Sequence, residues 1–177
     1  MIGCLYVWKA DNNQPFTIAQ KIVTGMPYRH NSWGVGDLYG NGTQWQLEAF
    51  LCVTTTPIEA KDCRVFKINA PDEVLHDLTA ALAERYSGRV YGVLSLLNYL
   101  GRAVVSLFGG DGRKFCPIRF GDVCSALIYA GLQNLAFMQG WKDLAAKLNQ
   151  WHRNCYHSGD TITICTAFPQ YFTEVQP

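Results

Sequence analysis

Charge is scarce in this sequence. Asp, Glu, Lys and Arg supply 16% of its 177 residues, where an average domain carries about 25%. With 49% of the residues hydrophobic, a disordered, solvated chain is excluded. The same shortage predicts a surface with apolar area left for a partner, a lipid or a groove. A basic excess is missing as well: 15 Lys plus Arg against 14 Asp plus Glu leave a formal charge of +1. The basic residues are scattered singly apart from Arg113–Lys114. The clustered positive face that grips a phosphate backbone is absent, which excludes nucleic acid as the expected partner.

Other absences narrow the class further. The seven cysteines (4, 52, 63, 116, 124, 155 and 165) are odd in number and contain no CxxC spacing. That pattern predicts reduced thiols rather than a disulfide framework, and no metal or cofactor is expected. The N-terminal stretch has neither the basic start nor the apolar run of a signal peptide. Its Gly3 stands one place too late for N-myristoylation. The longest apolar region, 91–110, is broken by Ser95, Asn98, Gly101, Arg102 and Ser106. It predicts membrane contact at most, not a span. The expected location is cytoplasmic.

What is present reads as a strand-rich first part and a helical second part. A chain of this length buries roughly 70% of its unfolded surface, enough for a core without staples. Strands are expected at 3–8, 33–38, 45–53 and 64–68, the middle pair joined by Tyr39-Gly40-Asn41-Gly42, whose Asn-Gly supplies the positive φ a turn needs. Phe16–Val23 reads as a helical turn before the breaker cluster Thr24-Gly25-Met26-Pro27. Asp72 reads as the cap of a helix reaching Tyr86, stopped by Gly88. Further helices are expected over Val93–Leu107 with a break near Gly101, Asp122–Phe137, and Trp141–Trp151, then a late strand at Thr161–Cys165. Nothing divides the chain, so residues 1–177 are expected to form one α+β domain, an antiparallel sheet packed against helices.

Cys124 carries the most chemical information. It lies in Phe120-Gly121-Asp122-Val123-Cys124-Ser125-Ala126-Leu127, where Gly-Asp opens an apolar helix. With Asp122 as the N-cap, the thiol falls in the first turn, where free N–H groups and the helix dipole favour a thiolate. Those N–H groups also suit a developing oxyanion. The same spacing equally fits a small buried residue at a helix start. A nucleophilic thiol needs a base, and the histidines are His30, His76, His152 and His157. His76 reads as a surface residue of its helix. His152 and His157 flank Cys155, but that spacing matches no standard zinc site and reads as loop packing. His30 enters a strand, a rigid place to aim an imidazole.

The order of these segments resembles a known family. A strand near Gly3–Tyr6 is followed by Thr24-Gly25-Met26-Pro27-Tyr28-Arg29-His30, a Gly-Asn-Gly hairpin, Gln46-Leu47-Glu48-Ala49, a helical segment and Val123-Cys124-Ser125-Ala126-Leu127. This resembles the circularly permuted papain-like hydrolases of the NlpC-like superfamily, the YiiX/YebB-like branch in particular. In that group the histidine precedes the cysteine. The resemblance implies a permuted papain-like fold with Cys124 as nucleophile, His30 as general base and Glu48 orienting the imidazole. Two alternatives stay open. Gln46 shares a strand face with Glu48, and a shifted frame sets Trp33 in the place of the histidine, as in an inactive relative. The family's usual Glu after Cys-Ser is Ala126 here.

The resemblance implies a cysteine hydrolase acting on an amide or ester: a peptide, an isopeptide or a lipid acyl group. The rival is a protein that keeps the fold without the chemistry, such as a binding or structural component of a virus or phage particle.

Overall fold

The computed structural model describes residues 1–9, 28–49, 52–58, 61–89, 97–115, 117 and 124–176. Among them, six strands form one antiparallel sheet. In chain order they are β1 (Cys4–Lys9), β2 (Tyr28–Gly36), β3 (Trp45–Ala49), β4 (Val53–Pro57), β5 (Cys63–Ile68) and β6 (Phe172–Val175). Across the sheet they run β4-β3-β2-β1-β5-β6. The helices are α1 (Asp72–Tyr86), α2 (Leu97–Leu107), α3 (Cys124–Met138), α4 (Lys142–Leu148) and α5 (Ser158–Ala167). The fold is α+β, as the change of periodicity near residue 70 predicts.

The period of two along each strand decides which side chains meet the helices. Leu5 pairs with Trp33 and with Phe66, and Trp33 pairs with Leu47. All four are buried in the main core, with Leu78 and Leu82 of α1 and Leu127, Ile128 and Leu132 of α3. Trp33 is the pivot. Its indole N–H donates to Thr79 Oγ1 of α1 at 2.9 Å. Its ring lies where a Cβ on Gly131 of α3 would come within 2.7 Å of it. A side chain at 131 would therefore push helix and strand apart. The opposite parity faces the other side of the sheet: Cys4, Tyr6, Cys63 and Val65 form a smaller cluster with Trp8 packed on it.

Several sequence expectations need correction. Thr161–Cys165 is not a strand; it lies inside α5. The β-branched alternation of Thr161-Ile162-Thr163-Ile164 imitates a strand. A capping box overrides it: the His157 side chain accepts from the Asp160 backbone, and the Asp160 side chain accepts from the His157 backbone. The expected strand 45–53 ends at Ala49, and a separate edge strand starts at Val53. The closing strand of the sheet is β6 instead. Pro71, not Asp72, is the N-cap of α1, with no side-chain cap; Asp72 and Glu73 instead supply negative charge to the first turn. Helix α2 runs through Gly101 without a break, and the Phe115 ring fills the space a Cβ there would need. The fourth helix is shorter than expected, Lys142–Leu148. Phe16–Val23, Thr24–Pro27 and the Asp122 cap lie outside the described residues.

Candidate active site

The face of the sheet turned away from the main core carries a ladder of polar side chains on β2, β3 and β4. His30 Nε2 lies 2.8 Å from Glu48 Oε2. Thr56 Oγ1 donates to Glu48 Oε1 at 2.6 Å, Gln46 Nε2 donates to Thr56 Oγ1 at 3.2 Å, and Ser32 Oγ donates to Gln46 Oε1 at 2.6 Å. The register explains the ladder. Gln46 pairs with Thr56 and Glu48 with Thr54, so even-numbered residues of β3 and β4 share this face while Leu47 enters the core. His30 and Ser32 have the same parity on β2, and diagonal neighbours on adjacent strands reach each other.

Helix α3 brings Cys124 to the other side of His30. Cys124 opens the helix, and its sulfur is hydrogen bonded to the His30 ring. With Nε2 committed to Glu48, Nδ1 is the nitrogen left for the thiol. Backbone N–H groups of Asn31 and Ser125 also donate to the sulfur. Asn31 is held in turn, its side-chain amide donating to Thr161 Oγ1 of α5 at 2.8 Å. The Trp8 ring covers the imidazole from β1, with centroids 5.5 Å apart and planes tilted by 42°. An indole at this range favours a cationic neighbour.

The electrostatics follow from these contacts. Burial alone would push the Cys124 thiol up, as it does for Cys4, Cys63 and Cys165. At Cys124 the neighbouring imidazolium, its hydrogen bond and the two backbone donors outweigh burial, and the pKa falls. Burial opposes the His30 charge in the same way, but Cys124 and then Glu48 overcome it and raise the imidazole to about 9. For Glu48, burial works against the carboxylate, while His30 and Thr56 hold it below its ordinary value. A thiolate–imidazolium pair backed by a carboxylate is the form these environments favour.

The structure thus brings together Cys124, His30 and Glu48. Gln46 touches Ser32 and Thr56 rather than His30. Trp33 lies in the main core against Thr79 and Gly131, so the shifted frame places no side chain beside the thiol. His76 is exposed on α1. His157 caps α5, and the Cys155 thiol donates to the Phe115 carbonyl at 2.6 Å. No three of His, Cys, Asp and Glu form a metal-holding group among the described residues. No described helix is long and apolar enough to cross a membrane.

Sequence reasoning missed three contributors: Trp8, Thr56 and the Asn31 amide. Trp8 had a signal, since it alternates with Leu5 and Val7 and must face away from the core. Thr56 had one too, in the β-branched run Thr54-Thr55-Thr56 before Pro57, a composition suited to an edge strand.

No family model matches the chain, and no curated protein does. Among solved structures, the crystal structure of the metalloprotein YiiX from Escherichia coli is similar at 18% identity and a TM-score of 0.45, covering 76% of this chain and 81% of that one. A likeness this distant carries no weight in assigning the site.

Proposed function

We propose that the protein is a cysteine hydrolase, one permuted papain-like domain that cleaves an amide or ester bond through Cys124, His30 and Glu48. The observation that carries this reading is a cysteine at the opening of a helix, beside a histidine whose Nε2 rests on a carboxylate. The thiolate attacks the acyl carbon and forms a C–S bond. The C–N or C–O bond to the leaving group breaks as His30 passes its proton to that group. Water, losing a proton to His30, then adds to the acyl carbon. The C–S bond breaks, the acid departs, and the ion pair returns. Glu48 fixes the tautomer and orientation of the ring. The N–H groups at the start of α3 point toward the thiol, where they would stabilise a developing oxyanion as the charge leaves the sulfur. The substrate class is a peptide, an isopeptide or a lipid acyl group.

The test needs no substrate. An ordinary thiol titrates near ~8.5, leaving few thiolates at neutral pH. Alkylation of Cys124 by iodoacetamide, followed by mass spectrometry, should be fast already below about pH 7. His30→Ala should move that reactivity to higher pH, and Trp33→Phe should not. Inertness of folded wild-type Cys124 until about pH 8–9 would replace the enzyme with a binding protein of the same fold.

A further inference from the structure

The hydrogen bonds behind Glu48 have a fixed direction. Ser32 gives its proton to the Gln46 carbonyl, which turns the Gln46 amide toward Thr56. An amide N–H pointing at Thr56 can accept nothing, so the Thr56 hydroxyl proton must go to Glu48. The carboxylate is therefore gripped at both oxygens, one by Thr56 and the other by His30.

We infer that Thr56, oriented by Gln46 and Ser32, is a positioning residue that holds the Glu48 carboxylate on His30 and so keeps the imidazole protonated beside the Cys124 sulfur. The inference rests on the hydrolase reading and adds to it a second row of residues. It also gives Gln46 a part, acting on Glu48 through Thr56 rather than on the ring.

Two effects of the hydroxyl oppose each other. As a donor it draws charge from Glu48 and weakens only in part the hold of the other oxygen on His30. As an anchor it prevents the carboxylate from turning away, which would lose the whole charged hydrogen bond to His30. Anchoring is the larger effect. The titratable groups facing His30 among the described residues are Glu48 from β3 and Cys124 from α3. Trp8 faces it from β1, Thr56 on β4 contributes only a hydroxyl, and Tyr6 of β1 interacts with Cys4 and Cys63 instead.

The experiment is an NMR titration of the His30 ring, paired with the pH profile of Cys124 alkylation by iodoacetamide. Thr56→Val should lower the His30 pKa by about one unit and slow alkylation at neutral pH. Thr56→Ser, which keeps the hydroxyl, should restore both. Gln46→Met, which frees the hydroxyl to turn, should shift His30 the same way by less, and it answers the question should Thr56→Val not fold. An unmoved or raised His30 pKa in the folded variants overturns the inference while leaving the hydrolase reading intact. A wild-type His30 titrating near ~6.5 removes the pair itself and both conclusions with it.

Discussion

Two histidines here, His30 half-buried and His157 buried, each contact a carboxylate, yet their protonation is driven in opposite directions. His30 sits on Glu48 at 2.8 Å and is raised to about 9. His157 lies 3.5 Å from Asp160 and is lowered to about 4. The carboxylates differ in what else they touch. Asp160 is already gripped at both oxygens by Arg102, at 2.5 and 3.0 Å. Its field is largely neutralised, so burial dominates at His157 and the guanidinium adds repulsion. Among the described residues His30 is the cation that Glu48 meets, and the sulfur of Cys124 adds a second negative partner for the imidazole. A His–carboxylate contact therefore says little until the carboxylate's remaining partners are known.

Removing the anionic partner should change the pair most. Cys124→Ser should reduce turnover at least ~10³-fold and let His30 fall toward ~6.5. Glu48→Gln leaves the nucleophile in place and should cost less. NMR titration of the ring in the two variants checks the ranking, and a His30 still near 9 in Cys124→Ser would show that Glu48 alone sustains it. Arg102→Met tests the opposite corner. It leaves Asp160 buried without its cation, at a cost of about 3–5 kcal/mol. The freed carboxylate should then raise His157 well above its present value, measured by urea unfolding and the same titration.

The smallest effect is the pH dependence of stability. Neutral His157 stabilises the native state fully above ~6.5, and this is lost as pH falls toward 4. Protonated His30 adds no slope above ~6.5, because the proton it keeps in the native state is matched by the one the native Cys124 gives up and an unfolded thiol holds until ~8.5. Thermal stability should therefore fall as pH drops below ~6.5 and stay level from there to ~8.5. His157→Asn should flatten the acid side alone.

Much of this arrangement was legible in the sequence. The strands that bear His30 and Glu48 and a helix starting near Asp122 were readable from local patterns of two and 3.6 residues, whereas the grouping of His30, Glu48 and Cys124 came from the resemblance in segment order. The choice between Glu48 and Gln46 was not, since both occupy one strand face. Only the register against β2 and β4 separates them, and register is set by long-range pairing. The strand expected at Thr161–Cys165 has a similar root: β-branched residues favour a strand locally, but the cap at His157, four residues upstream, and burial against the core decide otherwise. The cluster of His152 and His157 around Cys155 reads in sequence as loop packing, and nothing local there reveals the distant Arg102 that sets the state of His157 through Asp160.

Gly131 has a consequence beyond packing. Helix α3 rests on β2 through the contact between this glycine and the Trp33 ring. Cys124 sits at the end of the same helix, and His30 near the start of the same strand. The two elements act as a caliper, with the absent methyl group at its hinge and the sulfur and imidazole at its jaws. Repacking the hinge reopens the jaws, so the gap across which a proton must pass is calibrated by a residue that takes no part in the transfer.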